Sequence, residues 1–226
     1  MPKRTYSQIN KEDNLYFNKR HREEPVIEED PEPVQEVLDI LGGGDSVTVR
    51  DNHIYFYGKV SNSNCLKLNL ALRDIEKKLN MVRMDLQVDN LKIYLHINSF
   101  GGSVFAALST IDTIRNCLFP VVSIIEGAAA SAATLMSVVC QERIIRKNAY
   151  MLIHQMSSGF WGKMEEIKDE MINLKKLTKK LKRIYREHTE LNNSTSEVKL
   201  NQILTRDLWW DSDECLKYGL VDEIEH

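Results

Sequence analysis

Residues 121–140 have the sequence Val-Val-Ser-Ile-Ile-Glu-Gly-Ala-Ala-Ala-Ser-Ala-Ala-Thr-Leu-Met-Ser-Val-Val-Cys. The apolar run that ends at Gly127 predicts a buried strand, and the small residues from Ser131 to Cys140 predict a helix soon after it. Ser131 would then lie at or near the N-terminus of that helix, where backbone N–H groups can stabilise a developing oxyanion. Taken alone, this run of Ala and Ser fits tight helix packing at least as well.

Strand and helix patterns alternate on both sides of this stretch. Residues 53–57 and 91–98 predict strands, the second through its period-two alternation, and two more short strands are predicted within residues 143–153. Helical spacing is predicted for residues 65–79, 103–115 and 131–140. Strands that alternate with helices predict an α/β fold with crossover connections.

A longer apolar stripe, with spacings of three and four residues, runs from Met164 to Leu191. It predicts one amphipathic helix of roughly 28 residues from about Gly162, which would span about 40 Å. A core of this size cannot cover such a helix along its length, so we expect one end to project and to need a partner surface. The Lys and Arg residues between Lys175 and Arg186 are interpreted as its solvated face.

Composition narrows the class of protein. Residues 1–44 carry four of the five prolines and few apolar residues, so we expect a flexible charged N-terminal tail before a domain over residues 45–226. The net charge of −3 calls for neither nucleic acid nor an anionic membrane as partner. Four widely spaced cysteines fit a reducing compartment rather than disulfides or a metal site. With no secretory signal and no long apolar run, a cytoplasmic, organelle-matrix or stromal protein is expected.

Three further features could share a catalytic site with Ser131. His154 closes a short apolar strand, and Gly102 lies in a turn that could aim a backbone N–H at the site. Asp207 lies beside bulky apolar residues and is expected to be partly buried, as suits a carboxylate that orients a histidine. Taken singly, a core histidine or an ordinary glycine turn explains the first two equally well.

Four motifs together resemble those of the proteolytic subunit of the Clp protease. Residues 98–102 (Asn-Ser-Phe-Gly-Gly) are similar to the family's Asn-Ser-Pro-Gly-Gly turn, and residues 127–131 match its Gly-x-Ala-Ala-Ser nucleophile turn. Residues 151–155 (Met-Leu-Ile-His-Gln) resemble its histidine strand, and residues 206–222 contain its Arg-Asp pair and Tyr-Gly-Leu segment. The resemblance covers about residues 53–226. It implies the spiral of β-β-α units that Clp peptidases share with crotonases, with a projecting handle helix.

The resemblance implies a role for each matching residue. Ser131 would be the nucleophile, His154 the general base and then acid, and Asp207 the carboxylate that orients His154. The backbone N–H groups of Gly102 and Ala132 would form the oxyanion hole. The residues implied in substrate binding are Gly101, Ser158, Gly159 and Phe160.

The resemblance also implies an assembly. The expected enzyme is a serine endopeptidase that cleaves unfolded polypeptides or short peptides through an acyl-enzyme. It would work inside a homo-oligomeric chamber of two stacked heptameric rings, which the handle helices join. The sequence contains no Gly-x-x-x-x-Gly-Lys-Ser/Thr motif, so no cofactor is expected in this chain. ATP would be used only by a separate AAA+ unfoldase as partner.

Some departures from the family pattern leave alternatives open. Phe100 and Met156 stand where the family usually has proline, and residues 80–90 make the preceding segment longer than usual. A Clp-like protease of viral capsid maturation, a non-catalytic ring subunit and a crotonase-like acyl-CoA enzyme are the alternatives. The pairing of Ser131 with His154 disfavours the crotonase-like enzyme.

Overall fold

The computed structural model describes residues 46–157, 159, 161–191 and 200–226. The tail predicted for residues 1–44 lies outside these ranges, as do Ser158 and Phe160 of the candidate substrate-binding set. The strands are β1 (Val47–Arg50), β2 (His53–Tyr57), β3 (Ile93–Ser99), β4 (Val121–Ala130), β5 (Glu142–Arg146), β6 (Tyr150–Leu152) and β7 (Glu223–Glu225). The helices are α1 (Asn62–Leu86), α2 (Val104–Arg115), α3 (Ala132–Val138), α4 (Met164–His188) and α5 (Ser212–Lys217).

The strands form one mixed sheet in the order β1-β2-β3-β4-β5-β7. β1 and β2 pair antiparallel, whereas the other pairs are parallel and therefore need crossover connections. β4 changes neighbour along its length, because residues 122–125 pair with β5 and residues 128–130 pair with β6. This change of partner brings β6 and the residues that follow it beside the end of β4, where Ser131 begins the next turn.

The apolar face of the sheet lies under helices α1 and α3, with α2 packed between them. Helix α1 begins at the N-cap Ser61, whose hydroxyl accepts a hydrogen bond from the Asn64 N–H, and its inner face repeats every three to four residues. The side chains that this helix buries are Cys65, Leu68, Leu72 and Ile75. Burial of each such aliphatic side chain contributes about 1.5–3 kcal/mol to stability. Buried side chains of the strands, such as Ile93, Leu95 and Ile97 of β3, supply the other half of this core.

Helix α1 continues to Leu86, well past the predicted end at Leu79, and stops at Gln87 in a left-handed conformation with φ 54°. Its last turns therefore account for most of the segment that the sequence marks as longer than usual. The apolar side chains of these turns are exposed, which is why burial periodicity does not reveal them: Met81, Val82, Met84 and Leu86.

Helix α4 is a single helix of 25 residues, about 37 Å long at 1.5 Å per residue. Its start is fixed by Glu166, whose carboxylate accepts a hydrogen bond of 2.9 Å from the Lys163 N–H. Only Ile184 and Tyr185, near its C-terminal end, are buried. The predicted long helix is thus confirmed, and most of its length lies off the core formed by the described residues.

These elements confirm the predicted α/β fold with crossover connections. Among the residues that the structure describes, no helix combines the length and the apolarity needed to cross a bilayer.

Candidate active site

Ser131 lies in a sharp turn between a strand and a helix. β4 ends at Ala130 and α3 begins at Ala132, while Ser131 itself has φ 53° and ψ −123°. A non-glycine residue in so sparsely populated a region costs about 1–3 kcal/mol and persists only where its surroundings impose it. Here the Ser131 N–H donates to the Leu152 carbonyl over 2.9 Å, and the Thr134 N–H donates to the Ser131 carbonyl over 3.1 Å. Such strained strand-to-helix turns present a nucleophile in other hydrolases.

The glycine turn at residues 101–102 lies directly against the Ser131 turn. Gly101 has φ 94°, and a Cβ atom on it would lie 2.6 Å from the Ala130 carbonyl oxygen and 2.8 Å from the Ser131 Cβ. Gly102 also has no room for a side chain, because a Cβ atom on it would lie 2.4 Å from the Val60 carbonyl oxygen. Both positions need glycine because two backbone segments approach each other here.

His154 follows β6, whose Leu152 pairs with Ala130 at the end of β4. The parallel pairing of these two strands therefore brings His154 and Ser131 to the same edge of the sheet. His154 is partly exposed and lines one pocket together with Ser131, Gly102 and Ala132. The four residues that the sequence assigned to nucleophile, base and oxyanion hole thus lie around one cavity.

Asp207 is the weakest member of the predicted triad in this geometry. Its Oδ1 atom lies 3.5 Å from the His154 Nδ1 atom, and 78% of its side chain is exposed. The prediction that Asp207 is partly buried is therefore wrong. The reason is that Trp210, not Asp207, turns inward: Trp210 and Met151 exchange two backbone hydrogen bonds of 2.8 and 2.9 Å.

The loop that carries Asp207 is nevertheless fixed to the histidine strand at both ends. Before Asp207, the Gln155 N–H donates to the Leu204 carbonyl over 2.7 Å, and after it Trp210 pairs with the same segment. The neighbouring aspartates are engaged elsewhere. Asp211 caps helix α5 by accepting from the Glu214 N–H, and Asp213 lies 3.3 Å from the Lys147 ammonium.

The pocket beside Ser131 has a volume of about 210 Å³. Helix α4 supplies one of its walls. The other lining residues come from the Ser131 turn, helix α3, the segment after β6, the glycine turn with the start of helix α2, and Leu204. Its apolar or aromatic lining side chains are Val104, Leu135, Met156, Leu181, Tyr185 and Leu204. Sequence reasoning missed these residues, because their spacing in the chain indicates only burial. Of the candidate substrate-binding residues, Gly101 abuts Ser131, and Gly159 is exposed, with no atom within 4 Å of where its Cβ would lie.

A second polar cluster lies on the opposite face of the sheet. The His53 Nδ1 atom is 2.9 Å from the His96 Nε2 atom, and the His96 Nδ1 atom is 2.9 Å from a Glu126 carboxylate oxygen. Burial opposes ionisation of Glu126, but hydrogen bonds from Tyr57 and His96 outweigh it and lower the pKa of Glu126. Burial, and then the neighbouring His96, lower the pKa of His53. The two histidines that the sequence ranked below His154 as bases therefore do not line the Ser131 pocket.

Among the described residues, no three His, Cys, Asp or Glu side chains converge as metal ligands would.

The chain is similar in sequence to known proteins. Residues 65–226 match the sequence model of the family described as Clp protease. The chain is 38% identical over 144 residues to the ATP-dependent Clp protease proteolytic subunit of Streptococcus mutans. The aligned region covers 62% of this chain and 72% of that protein. The chain is 32% identical over 146 residues to the Deinococcus radiodurans protein of the same name, covering 64% and 70%. For proteolytic subunit 2 of Treponema denticola, the identity is 33% over 159 residues, covering 67% and 78%.

Proposed function

The chain belongs to the Clp protease family, and we propose that it is a serine endopeptidase in which Ser131, His154 and Asp207 act as the catalytic triad. The observation that carries this proposal is the Ser131 turn. A serine held at positive φ between a strand and a helix, in the pocket that His154 also lines, has no evident purpose in packing. Cleavage of a peptide bond gives this strained arrangement a use.

The proposed reaction follows from the roles of these groups. His154 takes the proton of the Ser131 hydroxyl while the Ser131 Oγ atom attacks the scissile carbonyl carbon, and a tetrahedral oxyanion forms. The N–H groups of Gly102 and Ala132 stabilise that oxyanion. His154 then gives the proton to the leaving amine, the C–N bond breaks, and an acyl-enzyme remains. Water, deprotonated by His154, then attacks the ester carbon. The bond from that carbon to the Ser131 oxygen breaks, the acid leaves, and His154 returns the proton to Ser131.

Asp207 orients His154 in this scheme. Its carboxylate faces the His154 Nδ1 atom at 3.5 Å, so a proton on that nitrogen leaves Nε2 free to act as the base. Hydrogen bonds in a catalytic site often tighten when substrate binds, and the 3.5 Å separation leaves room for such a change.

The pocket beside Ser131 is the proposed binding site for a substrate side chain. Its lining by Leu135, Leu181 and Tyr185 suits an apolar side chain, while the glycine turn leaves space for the substrate backbone. A polypeptide substrate therefore fits this site better than a small polar molecule.

Assembly and energy supply are further parts of the proposal. The exposed apolar residues of helix α4, such as Met171 and Ile172, suit contact with another subunit, so we propose a homo-oligomer of stacked rings with an internal chamber. The sequence has no nucleotide-binding Gly-x-x-x-x-Gly-Lys-Ser/Thr motif, whereas the relatives are named as ATP-dependent. A separate ATP-driven unfoldase is thus the proposed partner.

A fluorophosphonate probe tests the core of this proposal. The purified wild-type chain should be labelled once, on Ser131, and should cleave a short fluorogenic peptide. Ser131→Ala should lose both properties while its native mass and melting temperature stay unchanged, because alanine fits a turn already built from alanines. An adduct on another residue, or an active Ser131→Ala variant, refutes the assignment of the nucleophile.

A further inference from the structure

A buried chain of hydroxyl groups joins helix α4 to the backbone of the Ser131 turn. The Tyr185 hydroxyl lies 2.6 Å from the Thr134 Oγ1 atom, and the Thr134 hydroxyl donates to the Ser131 carbonyl oxygen over 2.6 Å. Thr134 is completely buried, and Tyr185 is 4% exposed. The proposed reaction gives neither hydroxyl a role.

The direction of each hydrogen bond follows from the number of protons. The Ser131 carbonyl can only accept, so the single hydroxyl proton of Thr134 is used there. Tyr185 must then be the donor to Thr134. Burial raises the pKa of Tyr185, so its hydroxyl keeps the proton that this bond requires. The chain therefore runs from Tyr185 through Thr134 to the Ser131 carbonyl.

The Ser131 carbonyl belongs to the same planar trans peptide unit as the Ala132 N–H, and the two groups point in opposite directions. A bond that fixes the carbonyl therefore also fixes the direction of the N–H. Hydrogen bonds to a carbonyl also polarise the peptide and strengthen its N–H as a donor.

We propose that Tyr185 and Thr134 are positioning residues that aim and polarise the Ala132 N–H of the oxyanion hole through the Ser131 carbonyl. This inference rests on the proposed serine-peptidase function. It also makes helix α4 part of the active site in a second way, since the helix lines the substrate pocket and holds the oxyanion donor through Tyr185. Displacement of α4 would then weaken catalysis even where substrate still binds.

The test compares Tyr185→Phe and Thr134→Val with wild type in hydrolysis of a fluorogenic peptide. Removal of a whole oxyanion donor costs about 10²–10³ in kcat, so a misaimed donor should cost roughly tenfold to a hundredfold. KM should change less than threefold, because phenylalanine keeps the ring that lines the pocket and the ground-state substrate does not depend on the oxyanion donor. Thr134→Ser keeps the hydroxyl and should restore the wild-type kcat.

A peptide boronate, which forms a tetrahedral adduct with the nucleophile, gives a second readout. Its affinity should fall in Tyr185→Phe by a factor similar to the loss in kcat, whereas the affinity of an uncleaved product peptide should stay unchanged. The double variant Tyr185→Phe/Thr134→Val should be no worse than the poorer single variant, because both changes break one chain.

Ser137→Ala is the matched control. Ser137 carries another buried hydroxyl of helix α3, but this hydroxyl lies 2.9 Å from the Ser123 hydroxyl and so belongs to a different hydrogen bond. Its kcat should stay near that of wild type. If Tyr185→Phe is folded and has the kcat and boronate affinity of wild type, the inference is wrong. The same holds if it loses no more activity than Ser137→Ala.

The serine-peptidase proposal fails by a different result, namely a wild-type chain that neither cleaves peptide nor reacts with fluorophosphonate. An active, labelled wild type together with an unaffected Tyr185→Phe overturns only the positioning role. Should Thr134→Val fail to fold, Tyr185→Phe carries the comparison, because it removes one oxygen atom and keeps the ring.

Discussion

Gly101→Ala is the substitution for which the structure gives the sharpest expectation. A new Cβ would lie 2.6 Å from the Ala130 carbonyl oxygen, whereas ordinary contact begins at 3.4 Å, so one of the two must move by about 0.8 Å. The positive φ of 94° adds about 1–3 kcal/mol of backbone strain. Both effects push the glycine turn away from Ser131.

The expected loss of activity follows from this displacement. A shift of about 1 Å in a positioned reacting group can cost about 10²-fold in rate, so Gly101→Ala should lose roughly tenfold to a hundredfold in kcat/KM. Unfolding in urea should show a loss of stability of at least about 1 kcal/mol.

Two reference variants make the result interpretable. Gly159→Ala adds the same methyl group where no atom lies within 4 Å, so its melting temperature should match that of wild type. Ser131→Ala defines the rate of an inactive enzyme. A folded Gly101→Ala that cleaves peptide at the wild-type rate would show that the glycine turn does not abut the working nucleophile, and the assignment of Ser131 would fall with it.

Three further changes test other parts of the structure. Asp207→Asn should lower peptide hydrolysis by up to about 10⁴-fold without unfolding the chain, and near-normal turnover would show that His154 needs no carboxylate from this loop. Leu174→Glu on helix α4 should lower the native mass, because a Leu buried between subunits contributes about 1.5–3 kcal/mol to association. Lys176→Glu, at an exposed position of the same helix, should leave the native mass unchanged. Equal native masses for Leu174→Glu and wild type would show that α4 is not in the interface. Burial lowers the pKa of His53 below 6.5, so the unfolded chain binds the proton more tightly, and the stability that neutral His53 provides is lost as pH falls below that value. Melting curves from about pH 7.5 to about pH 5.5 should therefore fall less steeply for His53→Gln than for wild type, and parallel curves would contradict this.

The main elements of the fold could be predicted because the chain signals them locally. The period-two alternation of β3 and the small residues after Gly127 need no tertiary information. The exposure of Asp207, in contrast, could not be predicted without tertiary information. The pairing of Trp210 with Met151 at the sheet edge decides which residue of this loop turns inward, and local sequence does not show that pairing. The contact between Tyr185 and Thr134 also joins distant elements, so spacing within either helix cannot reveal it.

The exposed end of α1 shows the other limit. Propensity extends a helix wherever no residue breaks it, so α1 continues to Leu86 without burial to mark its course. Because the apolar side chains of these last turns are exposed, the sequence indicates that the segment is longer than usual but does not indicate that it is helical.

The double pairing of β4 also has a consequence for folding kinetics. Every parallel pair in this sheet joins strands that are far apart in sequence, and such contacts form slowly because loop-closure entropy must be overcome first. The Ser131 turn is held by the Leu152 carbonyl, so its positive φ becomes favourable only after β6 has docked on β4. We therefore expect that a collapsed, partly paired chain does not yet present Ser131, the proposed nucleophile. If Ser131 is the nucleophile, as proposed, the chain cannot cut neighbouring nascent or misfolded chains until its own folding is almost complete.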